Sequence, residues 1–210
     1  MAVDTIETPS SPSPLPTQFS QTRHFYVAVD RIRFKMETLL DLLGVAGRRG
    51  LPMVLCCSSR DELDSVCSAI SNLPYITLSS LYSDQAESER AMILERFRQA
   101  TLKWNQDVTA HTGNNTEAEV CDCKSCVIVV TDACLPLLAA GEPPNLARVL
   151  INYEIPAKKE TYLRRMSTCL AADGIVINMV VGGEVVTLKS IEESSGLLIA
   201  EMPIHISEIL

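Results

Sequence analysis

Four short segments of this chain are apolar at nearly every position: Met53 to Cys57, Val127 to Val130, Val149 to Asn152 and Ile175 to Val180. A strand with one wet face alternates apolar and polar residues, so a run without alternation must be covered on both faces. Between such runs the apolar residues recur at helical spacing. Ile32, Met36, Leu39, Leu40 and Leu43 form one set, Leu63, Val66 and Ile70 a second, Ile93, Leu94 and Phe97 a third, and Tyr162, Met166 and Cys169 a fourth. Adding strands at Phe25 to Val29, at Tyr75 to Leu78 and near Leu198, this order predicts an α/β domain of three layers. Its sheet is mainly parallel and flanked by helices on both faces. Ligands of such sheets sit beyond the carboxyl ends of the strands. Those ends are Cys57-Ser58-Ser59-Arg60, Ser79 to Asp84, Thr131-Asp132 and Tyr153-Glu154-Ile155-Pro156.

Local signals sharpen the boundaries. Gly44 and Gly47-Arg48-Arg49-Gly50 end the first helix, and Ser58 or Ser59 caps a second that runs to about Ile70. Further helices are expected over Gln85 to Arg98, Lys158 to about Cys169 and Glu184 to Glu193, with a short one at the C-terminus. Residues 1–21 are rich in Pro, Ser and Thr and are expected to be a disordered tail, leaving 22–210 as one domain. Residues of about 99–125 are polar and break the pattern, which reads as an irregular insertion.

Composition excludes several classes. No apolar run reaches the roughly 18 residues of a membrane span. The net charge of −8 removes the bulk electrostatic signature of a nucleic-acid binder. No basic residue precedes Arg23 and no apolar leader is present, so cytoplasm or nucleus is the expected location. The Asn114-Asn115-Thr116 sequon is then expected to stay unmodified. Cys56, Cys57, Cys126, Cys134 and Cys169 lie in or beside apolar runs, the usage of reduced, buried thiols. Cys121, Cys123 and Cys126 are dense enough to suggest zinc, with His111 as a fourth ligand. A single C-x-x-C, with Cys126 beginning a strand, favours the reading without metal. Trp104, the only tryptophan, is expected to tuck against its own domain. His24, His111 and His205 form no triad with a nucleophile, and Asp132 and Glu154 are not read as an acid/base pair.

The loops at the strand ends, taken in order, resemble the C-terminal RecA-like domain of DEAD-box RNA helicases. The likeness runs from about His24 to Leu210 and is nearest to the translation initiation factor 4A branch and its exon-junction paralogue. Phe25-Tyr26-Val27-Ala28-Val29-Asp30, Asn152-Tyr153-Glu154-Ile155-Pro156 and Glu201-Met202-Pro203 carry that branch's character. The family hydrolyses ATP between two such domains. This sequence holds neither the Gly-rich phosphate loop nor the Asp-Glu-Ala-Asp stretch of the N-terminal one.

The motifs of the remaining half are altered. The family's Tyr-x-His-Arg-Ile-Gly-Arg-x-Gly-Arg stands here as Tyr162-Leu163-Arg164-Arg165-Met166-Ser167-Thr168-Cys169-Leu170-Ala171. Arg165 is kept. Thr168 and Ala171 replace the two arginine fingers, which are worth about 10³–10⁵ in rate in related phosphoryl transfers. The Thr-Asp-x-x-Ala-Arg-Gly-x-Asp motif begins as Thr131-Asp132 and ends as Ala140-Gly141-Glu142-Pro143, so Pro143 replaces the ATP-side aspartate. Tyr82-Ser83 stands for a His-Gly pair, and Glu87-Ser88-Glu89-Arg90 keeps only the arginine of Gln-x-x-Arg. On the RNA side, Arg60, Arg90 and Thr131 match positions that approach phosphates in the family.

The resemblance therefore implies a pseudo-helicase without ATPase activity or cofactor. It implies a binding module in translation or mRNA metabolism, with a protein scaffold of translation or exon-junction type as partner and weak RNA affinity at most. Two rival readings stay open: a single-strand RNA binder, and a helicase half that pairs with a separately encoded ATP-binding domain.

Overall fold

Each central strand of the sheet feeds alternate side chains into two different cores. In β2 (Met53–Cys57), Met53, Leu55 and Cys57 face one core while Val54 and Cys56 face the other. β4 (Ser125–Thr131) divides in the same way, with Val127 and Val129 on one side and Ile128 and Val130 on the other. Burying each such side chain is worth about 1.5–3 kcal/mol, so a polar residue on either face would be costly. This is why the runs read as unbroken.

The computed structural model describes residues 22–111 and 124–210. The remaining elements are β1 (Arg23–Val29), α1 (Lys35–Ala46), α2 (Arg60–Ile70), β3 (Ile76–Leu81), α3 (Glu87–His111), β5 (Ala147–Asn152), α4 (Lys159–Cys169), β6 (Leu170–Val181), α5 (Val185–Ser195) and β7 (Ile199–Glu201). The strands form one sheet in the order β3-β4-β2-β5-β6-β1-β7, and every pairing is parallel. α1 and α2 cover one face, burying Leu39, Leu43, Leu63 and Val66. α3, α4 and α5 cover the other with Leu94, Phe97, Tyr162, Met166, Leu188 and Ile191. The expected three-layer architecture is thus present. Ser59 caps α2, its Oγ accepting from the Glu62 amide at 3.2 Å.

One expectation needs correction. The segment 99–125 begins as helix and not as irregular chain, because α3 runs on to His111. Its inward face carries Phe97, then Thr101, then Trp104, about one buried residue per turn. The other sides are exposed, Leu102 and Val108 among them, so helical periodicity is too thin to read from sequence. Thr101 is buried and donates to the Phe97 carbonyl at 3.0 Å. Trp104 packs against the α1/α2 core with the Arg148 guanidinium 5.0 Å from its ring centroid, and Arg148 in turn pairs with Asp173. The proposed tail 1–21, the sequon and Cys121 and Cys123 lie outside the described residues. Among the described residues, no helix is long and apolar enough to cross a membrane.

The packing of Trp104 makes the extension of α3 part of the fold. Trp104→Ala is expected to cost about 1–3 kcal/mol, since the ring is only half buried. For a domain of this size that lowers the melting temperature by roughly 3–8 °C. A calorimetric shift below about 1 °C would mean the end of α3 is an appendage.

Candidate functional site

The carboxyl edge of the sheet is organised around one guanidinium. Arg165 projects inward from α4 and is fully buried, whereas its neighbour Arg164 is exposed, as residues about 100° apart on a helix must diverge. Nε donates to Oδ1 of Asp132 at 2.6 Å and Nη2 to Oδ2 at 2.8 Å. Nη1 donates to Asn152 Oδ1 at 2.9 Å and to the Glu154 carbonyl at 2.8 Å. Four of the five guanidinium N–H groups are therefore used inside the protein. Burial works against the charge, but the bidentate bond to Asp132 outweighs it and holds the pKa above the ordinary arginine value.

From Arg165 a chain of buried polar groups crosses the sheet. Asn152 Nδ2 donates to Asn178 Oδ1 at 2.8 Å. Asn178 Nδ2 donates to the Phe25 carbonyl at 3.0 Å and to the Tyr162 hydroxyl oxygen at 3.1 Å. That hydroxyl, 3.0 Å from His24 Nδ1, keeps its own proton to donate. Neutral His24 then carries its hydrogen on Nε2, which is buried without a partner. Burial lowers the His24 pKa to about 4 and pushes the Tyr162 phenol up.

The positions that the resemblance assigned to RNA fall into two groups. Arg60 opens α2, is exposed, pairs with Asp84 at 3.0 Å and lies 4.9 Å from the ring centroid of Tyr82. Arg90 lies in the first turn of α3 and is mostly buried. Its Nη1 donates to the Cys134 carbonyl at 2.9 Å and its Nη2 to Glu142 Oε2 at 3.1 Å. Thr131 joins this second group, its Oγ1 donating to Cys134 Sγ at 3.5 Å. Both arginines thus meet a carboxylate of the protein itself. Asp84 and Glu142 were not singled out from sequence. The only signal was that each stands in a strand-end loop opposite a family phosphate position.

The positions that the resemblance assigned to the nucleotide include three without charge, Thr168, Ala171 and Pro143. Thr168 is buried and its Oγ1 donates back to the Arg164 carbonyl at 2.7 Å. Ala171 lies at the start of β6, and Pro143 is exposed in the loop before β5. Among the described residues, no group of three His, Cys, Asp or Glu side chains is placed to hold a metal ion. Cys126 is half buried on β4, and burial raises its thiol pKa to about 11. Cys56, Cys57, Cys134 and Cys169 are buried free thiols.

The burial of His24 gives a stability–pH relation. Its folded pKa of about 4 lies below the ordinary 6.5, so the unfolded chain binds the proton more readily. Stability from this residue is complete above pH 6.5 and falls as pH drops toward 4, by roughly 1–2 kcal/mol at pH 5. Urea unfolding at pH 7 and pH 5 should show His24→Gln losing less than the unmodified protein. An equal loss in both would place the relevant titration elsewhere.

No protein-family model matches the chain. Among curated proteins, eukaryotic initiation factor 4A of Cryptosporidium parvum is 28% identical over 190 residues, covering 90% of this chain and 40% of that protein. The ATP-dependent RNA helicase eIF4A of Neurospora crassa is 25% identical over the same length and shares. The chain therefore spans about 40% of the length of these relatives. Among solved structures, a DEAD box protein from Methanococcus jannaschii superposes with a TM-score of 0.62 at 17% identity, covering 88% of this chain and 42% of that one. The C-terminal domain of the DEAD-box protein Dbp5 gives 0.61 at 15% identity, covering 87% and 91%. At these identities the superpositions speak for the fold alone. Along nine-tenths of its length the chain is similar in sequence to initiation factor 4A, and its fold is that of the C-terminal RecA-like domain of DEAD-box helicases.

Proposed function

We propose that this chain is a non-catalytic binding module derived from an RNA helicase, acting in translation or mRNA metabolism through a protein partner. The observation that carries this reading is the commitment of Arg165. The one motif arginine retained is locked to Asp132, Asn152 and Glu154, while Thr168, Ala171 and Pro143 offer neither a cation nor a carboxylate. Phosphoryl transfer needs positive charge aimed at the developing transition state, and a buried structural ion pair cannot supply it. The same loss weighs against a helicase half that completes a separately encoded ATP-binding domain. Proteins with such a domain have been solved with protein partners: E. coli SrmB bound to RraA, and S. cerevisiae Dbp5 bound to Gle1. A scaffold of the translation or exon-junction kind is the partner class we expect, in the cytoplasm or the nucleus.

Affinity for single-stranded RNA is a secondary property in this reading. Arg90 is engaged by Glu142 and Thr131 by Cys134, so the exposed Arg60, itself paired with Asp84, is left as the main contact. Exposed ion pairs of this kind contribute little. Binding should be sequence-blind and no tighter than the roughly 10⁻⁴–10⁻⁶ M of non-specific association at physiological salt.

Two outcomes are expected. Purified protein hydrolyses no ATP, with or without RNA; RNA-stimulated turnover that disappears on Thr131→Ala would overturn the non-catalytic reading. In fluorescence anisotropy, Arg60→Glu removes most of the weak binding to a labelled oligouridylate. Tight binding that survives both this change and raised salt would mean that the RNA surface lies elsewhere.

A further inference from the structure

The loop between β4 and β5 closes on itself through one carboxylate. Oε2 of Glu142 accepts two hydrogen bonds, from the Leu137 amide at 3.0 Å and from Arg90 Nη2 at 3.1 Å. The other arm of that guanidinium is fixed, Nη1 being held by the Cys134 carbonyl at 2.9 Å. Arg90 is thereby aimed and not merely nearby. A preset guanidinium and a backbone N–H converging on one anionic oxygen is the donor arrangement that binds a phosphate oxygen.

The occupant can leave without opening the core. The Glu142 side chain is 30% exposed. Glu142 follows Gly141, whose φ of +85° puts a left-handed hinge at the end of the short turn Leu138–Ala140. The Glu142 amide reaches the Leu137 carbonyl only at 3.3 Å. The Leu137 amide and Arg90 hold the carboxyl below its usual range, so it stays charged across neutral pH.

We propose that Glu142 is a built-in occupant of a phosphate site. Its carboxylate fills the place, between the Arg90 guanidinium and the Leu137 amide, that a backbone phosphate of single-stranded RNA takes once the turn opens. This deepens the RNA-facing reading of the carboxyl edge and rests on it. The protein in its closed state suppresses its own residual affinity for RNA, and anything that draws Glu142 away releases it.

The test compares the full chain with Glu142→Gln and with Glu142→Gln/Arg90→Gln. Binding of a labelled oligouridylate is followed by anisotropy, and inorganic phosphate is titrated while the Leu137 amide resonance is monitored. Removing the carboxylate should tighten RNA binding at least about fivefold. Phosphate should move the Leu137 resonance saturably, and the double variant should lose both gains. A folded Glu142→Gln that binds neither phosphate nor RNA better than the unmodified protein overturns the proposal and leaves Glu142 as a staple of the turn. A gain for phosphate without one for RNA keeps the anion site and removes the RNA reading. Should Glu142→Gln fail to fold, Glu142→Ala takes its place. A saturable Leu137 shift in that variant, abolished by adding Arg90→Gln, supports the site, and an unmoved resonance in the folded variant overturns it.

Discussion

A buried guanidinium with no counter-charge would be among the most costly groups a domain of this kind could hold. The bond between Arg165 and Asp132 is therefore a condition on the rest of the carboxyl edge. It ties α4 to the end of β4, while the same guanidinium reaches Asn152 at the end of β5 and the Glu154 carbonyl beyond it. Because Asn152 then hands its own donors to Asn178, the pairing of β5 with β6 is keyed by a polar contact inside an apolar layer. A register slip in either strand would leave several buried polar groups unsatisfied at once.

Arg165 is buried among its own protein's acceptors, and removing it would strand Asp132 and Asn152 together.

Other arginines obey a different rule. With a net charge of −8, carboxylates outnumber cations, and several arginines find an acid of the chain close by. Asp84 takes Arg60, Glu142 takes Arg90 and Asp173 takes Arg148. Each of these arginines is in this way neutralised by an acid of the chain itself.

The sheet and its helices were legible in the primary structure because burial on both faces leaves a local mark, an apolar residue at every position of the strand. That Thr168, Ala171 and Pro143 carry no charge was legible for a similar reason, being a property of each side chain alone. The length of α3 was not, since Phe97, Thr101 and Trp104 supply only about one inward-facing residue per turn. Nor were the partners of two arginines. Arg60 and Asp84 lie 24 residues apart and Arg90 and Glu142 lie 52 apart. Pairing at such separations depends on where the chain returns, and only the folded sheet, by bringing its carboxyl-end loops to one edge, decides which acid meets which base.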